Sequence, residues 1–117
     1  MRVSNILPSR GEIWTLRLNP VKGHEQGGTR PALVISNDYL NHGPAGIAIV
    51  IPITTKDKHI RSHVKLEPPE GGLNKISFIK CEDIRSVSTE RFVKRHGKVS
   101  VSTMNKVEDL IRTILEL

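Results

Sequence analysis

Two short apolar segments constrain the fold of this chain more than any other feature. Pro31–Ile35 and Ile47–Ile53 are apolar at successive positions, so both faces of an extended segment would be apolar. Segments of this kind are typical of central strands that are covered on both sides. The longer one is too short to cross a bilayer. We therefore predict a small barrel or sheet built around these two strands.

Alternation of apolar and polar residues predicts further strands on either side of this pair. In Glu12–Leu18 the side chains of Trp14, Leu16 and Leu18 fall on one face, which is typical of a half-buried strand. The other predicted strands are His63–Leu66, Ile76–Cys81 and Arg85–Val87.

The C-terminal segment has the periodicity of a helix. Apolar residues recur at helical spacing at Met104, Val107, Leu110, Ile111, Ile114 and Leu115. Ser102 or Thr103 is placed to cap the helix, and Glu108 and Arg112 are spaced for an ion pair. Several strands followed by one helix predict a single, mainly β domain over 1–117, a small antiparallel barrel with a C-terminal amphipathic helix.

Composition narrows the classes of partner. A formal net charge of +6 in 117 residues favours an acidic partner, which could be nucleic acid, an anionic protein segment or a membrane surface. The single cysteine, Cys81, excludes an internal disulfide and four-cysteine zinc sites. No N-terminal apolar segment has the length of a signal peptide, so we expect a soluble cytoplasmic protein without a membrane partner.

A glycine-rich loop before the first central strand predicts a polyanion site. The loop Gly23–Arg30 contains paired glycines, whose backbone N–H groups can approach a ligand closely. It ends at Arg30, whose planar guanidinium suits phosphate.

This loop and three other segments together resemble the MazF/PemK toxin family. The others are Arg10–Trp14, Ile51–Thr55 and Lys80–Val87, and with the C-terminal helix the similarity extends over roughly residues 9–117. The resemblance implies an SH3-like barrel of the CcdB/PemK type, a homodimer, and sequence-specific cleavage of single-stranded RNA such as mRNA. It further implies that no metal or other cofactor takes part. The other implied partner is an antitoxin whose acidic, flexible tail occupies the RNA groove.

The resemblance also implies roles for individual residues. Cleavage without a metal uses the ribose 2′-hydroxyl as nucleophile and leaves a 2′,3′-cyclic phosphate and a 5′-hydroxyl, so the site must bind phosphate and transfer protons. The predicted catalytic residues are Arg30 and Thr54 on the phosphate, with Glu82 and His24 as acid or base. Glu82 and Lys80 replace the aspartate and arginine of PemK-like members, and two residues apart on a strand they would share a face. An ordinary ion pair between Lys80 and Glu82 remains an alternative to catalysis.

A second group of residues is predicted to bind the substrate. It comprises Glu25, Gln26, Gly27, Gly28, Thr55, Lys56, Lys58, Lys80 and Arg85.

Two other functions fit a small barrel of this kind. A CcdB-like toxin would poison a topoisomerase without being an enzyme, but that group ends in a tryptophan-containing tail, whereas the only tryptophan here is Trp14. A nucleic-acid-binding barrel module would bind without cleavage, with a steep salt dependence.

Overall fold

A computed structural model describes residues 7–18 and 28–117 of the chain. The strands in these ranges are β1 (Glu12–Arg17), β2 (Thr29–Val34), β3 (Ile47–Thr54), β4 (His63–Leu66), β5 (Ser77–Lys80), β6 (Arg85–Ser88) and β7 (Phe92–Lys98). The helices are the one-turn α1 (Asp38–Asn41) and the C-terminal α2 (Val101–Leu115). No helix in these ranges is both long and apolar enough to cross a membrane.

The strands form one antiparallel sheet in the order β4-β5-β3-β2-β1-β7, and β6 pairs with β3. The eight-residue β3 lies at the centre because it has three neighbours. It pairs with β2 on one edge, and on the other edge with β6 through Ile47–Val50 and with β5 through Ile53 and Thr54. The predicted fold class is thereby confirmed, a mainly β, SH3-like antiparallel barrel with a C-terminal helix.

Both faces of the central strands are buried, as predicted. Alternate residues of β2 and β3 enter two different cores, since successive side chains of a strand point to opposite faces. The first core, which includes α2, contains Ile13, Leu33, Ile51, Ile53, Val64, Leu66, Ile79, Cys81, Val99, Met104 and Val107. The second core contains Trp14, Leu16, Ala32, Val34, Val50 and Val87.

The prediction of a half-buried β1 is wrong on one point. Trp14 and Leu16 do share a face in the second core, and Leu18 packs against that core. Ile13, on the opposite face, is fully buried in the first core. The cause is tertiary, because β1 lies between β2 and β7 and the turn at Gly71 packs against Ile13 on the face that the alternation left open.

The helix α2 begins earlier than predicted. Its cap is Ser100, whose Oγ accepts a hydrogen bond from the N–H of Thr103 at 3.1 Å. Thr103 cannot serve as the cap because it is buried within the helix, where its hydroxyl donates to Glu70 at 2.6 Å. Glu70 also accepts from the backbone N–H of Ser100 at 3.0 Å, so one carboxylate holds the start of the helix.

The predicted pair between Glu108 and Arg112 is also wrong. Glu108 instead binds Arg10, which fastens α2 to the segment before β1. Arg112 lies 3.4 Å from Asp109, a weak contact between exposed side chains.

Two elements have no counterpart in the sequence prediction, α1 and β7. In β7 only Phe92 and Val93 are apolar large residues, so no alternating pattern is visible. The strand forms because it pairs along β1 with two register shifts, and Phe92 packs edge-on against Trp14 with ring centroids 5.6 Å apart.

Candidate active site

The described residues form a polar groove of about 560 Å³. It is lined by Leu18, Arg30, Pro52, Ile53, Thr54, Lys56, Lys58, Lys80, Glu82, Asp83, Ile84, Arg85 and Arg91. Six of these residues are Lys or Arg and two are acidic, so the lining carries a strong positive excess. A concave surface of this charge attracts polyanions and concentrates them near the wall.

Arg30 and Thr54, far apart in the sequence, line this same groove. They lie on paired strands, where Ala32 of β2 is opposite Pro52 of β3. The same register, extended by two residues, would set Arg30 opposite Thr54. Successive side chains of a strand point to opposite faces, so Arg30 and Thr54 lie on the same face of the sheet as the second core. Both lie beyond the last apolar residues that their strands contribute to that core.

Arg30 has unused hydrogen-bonding capacity. Its Nε is buried and has no hydrogen-bond partner among the described residues. The backbone before it is fixed, because Leu18 donates its N–H to the carbonyl of Gly28 at 2.8 Å and Gly28 has a positive φ of 75°. A glycine adopts that conformation without strain, so the chain enters β2 with Arg30 at a defined position.

Thr54 ends β3 and turns the chain into the following loop. Its Oγ1 accepts a hydrogen bond from the N–H of Lys56 at 3.1 Å. The hydroxyl proton makes no hydrogen bond within the described part of the chain, and a hydroxyl can donate while it accepts. Thr54 can therefore donate to an anionic oxygen in the groove.

Glu82 is held by two neighbouring side chains. Ser62 donates to its Oε1 at 2.6 Å, and His63 lies with Nε2 3.0 Å from its Oε2. Because an ionised carboxylate only accepts, Nε2 carries the proton. Burial tends to raise the pKa of Glu82, but hydrogen bonds from Ser62, from its own backbone and from His63 outweigh burial and lower it.

Lys80 and Glu82 are not on one strand, which corrects the sequence prediction. Strand β5 ends at Lys80, and Cys81–Asp83 form a 3₁₀ turn. Both residues still line the groove, but Lys80 pairs with Asp83 at 2.9 Å and not with Glu82. Side chains in a 3₁₀ turn follow a period of three residues and not the two-residue alternation of a strand, so the spacing of Lys80 and Glu82 does not place them on one face.

The other predicted residues fall into three groups. Lys56, Lys58 and Arg85 line the groove, whereas Gly28 and Thr55 are not among its described lining residues. His24, Glu25, Gln26 and Gly27 lie outside the described residues.

Arg91 and Asp83 also line the groove, although neither was predicted as a site residue. Arg91 lines the groove from the turn before β7, and its Nη1 donates to the carbonyl of Arg17 at 3.0 Å. Its basic charge was the only local signal, because β7 itself was not predicted.

Cys81, adjacent to Glu82, is a packing residue. It is fully buried in the first core. Burial, together with the charge of Glu82, raises the pKa of its thiol to about 11. The reactive thiolate is therefore scarce at neutral pH.

Comparison with known proteins gives the same family over nearly the whole chain. The sequence model of the PemK-like, MazF-like toxins of type II toxin–antitoxin systems matches residues 9–115. Endoribonuclease MazF9 of Mycobacterium tuberculosis is 33% identical over 113 residues, which is 92% of this chain and 96% of the relative. Endoribonuclease EndoA of Bacillus subtilis is 31% identical over 113 residues, 96% of this chain and 97% of that protein. The crystal structure of MazF from Deinococcus radiodurans superposes with a TM-score of 0.82 at 25% identity, covering 97% of this chain and 100% of that one.

Proposed function

The chain belongs to the PemK-like, MazF-like toxins of type II toxin–antitoxin systems, and we propose that it is an endoribonuclease that cleaves single-stranded RNA, chiefly mRNA, at specific sequences. Two relatives that match almost end to end are named endoribonucleases. The observation that carries the proposal is the cationic groove shared by Arg30 and Thr54. The substrate of the proposed enzyme is cytoplasmic RNA, and the proposed reaction uses no metal ion.

The proposed reaction is an internal transfer of the phosphoryl group. The ribose 2′-oxygen attacks the adjacent phosphorus, the bond to the 5′-oxygen breaks, and the products carry a 2′,3′-cyclic phosphate and a 5′-hydroxyl. The non-bridging oxygens gain negative charge on the way. Arg30 stabilises that charge through its guanidinium fork, and Thr54 donates its free hydroxyl proton to one of the same oxygens.

Two protons move in this reaction, one from the 2′-hydroxyl and one to the leaving oxygen. His24 is the proposed group for these transfers because imidazole titrates near neutral pH. The lowered pKa of Glu82 weighs against that carboxylate as the base, although it was predicted as a candidate. A base is most effective when its pKa lies near the working pH.

The remaining cations of the groove bind the strand on either side of the cleaved bond. Lys56, Lys58 and Arg85 are the proposed phosphate contacts. Contacts of this kind position the RNA and add affinity, but they do not select a sequence.

The proposal is tested by incubating the protein with a long single-stranded RNA in EDTA and mapping the fragment ends. Cyclic phosphate and 5′-hydroxyl ends are expected. Arg30→Ala should lower the cleavage rate by about a hundredfold or more, since removal of one donor to a developing oxyanion has that effect. The matched control is Arg112→Ala, which removes an exposed arginine from α2. Full cleavage by a folded Arg30→Ala variant would contradict the mechanism. Fragments that end in a 3′-hydroxyl, without a phosphate, would also contradict it.

Two protein partners are part of the proposal. A cognate antitoxin places an acidic segment in the groove, because the positive lining that suits RNA also suits a carboxylate-rich peptide. A homodimer forms through exposed apolar side chains of α2 and of the segment that follows it, Val101, Ile114, Leu115 and Leu117, which are 40–82% exposed. Analytical ultracentrifugation measures the dimer, and a poly-glutamate peptide that fails to inhibit RNA binding would count against the shared groove.

A further inference from the structure

One feature of the groove is unexpected in a site for a polyanion, the carboxylate of Glu82. The other acidic residue of the lining, Asp83, neutralises Lys80 at 2.9 Å. Glu82 does not form such a pair with a Lys or Arg of the groove, because its described partners are Ser62 and His63. Its side chain remains 36% exposed, so part of the carboxylate faces solvent.

The support of this carboxylate is built into the fold. His63 is only 3% exposed in its side chain, and its position opposite Lys80 in the β4–β5 pair brings it next to the turn that carries Glu82. Ser62 comes directly before β4 and contacts the other oxygen. Two donors on two different oxygens restrict rotation of the carboxylate, leaving its remaining lone pairs in a fixed direction.

A fixed carboxylate repels phosphate at contact distance and accepts only from donors. Single-stranded RNA offers two kinds of donor, the ribose 2′-hydroxyl and the N–H groups of the bases. Adenine, cytosine and guanine carry exocyclic amino groups, whereas uracil offers carbonyl oxygens at the corresponding positions and has its one base donor, the ring N3–H, between two of those oxygens. A carboxylate that approaches uracil therefore meets a carbonyl oxygen beside the donor, so an acceptor-only group disfavours uracil relative to the amino-bearing bases.

We infer that Glu82 is a specificity-determining residue, which accepts a hydrogen bond from an exocyclic amino group of one RNA base and disfavours uracil there, and that Ser62 and His63 are its positioning residues. This inference rests on the proposed function for its substrate class. We prefer a nucleobase amino group to the ribose 2′-hydroxyl as the partner of Glu82. The hydrogen bonds from Ser62 and His63 stabilise the ionised carboxylate, so Glu82 is a poor proton acceptor. Its remaining lone pairs can still accept a hydrogen bond.

The experiment compares variants on an RNA pool with a randomised window, with cleavage sites mapped by sequencing. In Glu82→Gln one oxygen becomes an amide that can donate to a carbonyl, so uracil is accepted at one position of the site. The ratio of cleavage at amino-bearing bases to cleavage at uracil should fall at that position by about tenfold or more. The matched control is Asp83→Asn, which removes the same charge from the same groove and should leave the ratio unchanged.

The positioning residues have their own readout. His63→Leu removes the donor and should weaken the same preference, whereas His63→Gln keeps an N–H group and should restore it. Ser62→Ala gives an independent measurement on a less buried residue if His63→Leu does not fold, as judged by thermal melting. A structural role of His63 would change stability without changing the base ratio, and that result would overturn its assignment.

Two results would overturn the role of Glu82. One is an equal loss of cleavage by Glu82→Gln at every site, with the base ratio unchanged, as expected for a general base. The other is no change in either quantity. Selection of binders from a 2′-fluoro RNA pool, which has no 2′-hydroxyl to react, separates the two proposals. If the protein cuts no RNA but selects bases in that pool in a way that depends on Glu82, the nuclease function is refuted and the role of Glu82 is supported. If the pool shows no base preference that depends on Glu82, the role of Glu82 is overturned.

Discussion

The salt dependence of RNA binding follows quantitatively from the groove. Six Lys and Arg residues line it, and one of them, Lys80, is already paired with Asp83. On single strands each neutralised phosphate contributes about −0.7 to the slope of log Kobs against log salt, so contacts from Arg30, Lys56, Lys58 and Arg85 give a slope of about −2.8. Raising KCl from about 50 mM to about 200 mM should then weaken binding about fiftyfold.

The assay is fluorescence anisotropy with a labelled 2′-fluoro oligonucleotide, which cannot be cleaved. Lys58→Ala should make the slope shallower by about 0.7, because one phosphate contact is lost. Lys106→Ala, on the exposed side of α2, is the matched control and should leave the slope unchanged. A wild-type slope shallower than about −1.5, or an equal effect of both variants, would refute the assignment of the groove as the RNA path.

Three further predictions concern stability and reactivity. Burial tends to raise the pKa of Glu12, Glu70 and Glu82, but hydrogen bonds outweigh burial and lower all three pKa values below 4.5. The stability that these carboxylates contribute is therefore present above pH 4.5 and is lost as the pH falls through their folded-state pKa values. Urea titrations should show a decreasing free energy of unfolding in that window, and a constant value down to pH 3 would contradict it. Ser100→Ala should destabilise the fold by about 1 kcal/mol in the same assay, whereas Ser102→Ala, inside α2, should change it by less than about 0.5 kcal/mol. Cys81 should react with a thiol reagent at pH 8 far more slowly in the native protein than in urea, because burial raises its pKa to about 11; equal rates would show that the core is open.

The strands of the cores could be predicted because burial leaves a pattern in the sequence. Apolar runs at Pro31–Ile35 and Ile47–Ile53 specified β2 and β3 to within a residue or two. Strand β7 could not be found in this way, because most of its side chains are polar and its pairing with β1 supplies its stability. The N-cap of α2 was misassigned because Ser100, Ser102 and Thr103 are all residue types that cap helices. The choice of Ser100 depends on tertiary packing, since Val99 and Thr103 are both buried and fix where the helix begins.

The candidate site divides along the same line. Arg30 could be found from residue type and local context, since it follows a glycine-rich loop at the start of an apolar strand. Thr54, at the end of β3, was assigned from the family resemblance, because a threonine at a strand end is not distinctive by itself. His63 was not assigned to the site, because nothing in its neighbourhood indicates a buried side chain beside a carboxylate 19 residues away.

By itself, the sequence determined the mainly β fold, the terminal helix and the excess of cations in this toxin, because apolar periodicity and charge are properties of residues near one another in the chain. Only the tertiary structure decided which charges meet. The pairing of β4 with β5 brings Ser62 and His63 to Glu82, and the 3₁₀ turn brings Asp83 to Lys80. Contacts of this kind depend on register and on a local change of backbone direction, and neither is encoded in the spacing of residue types.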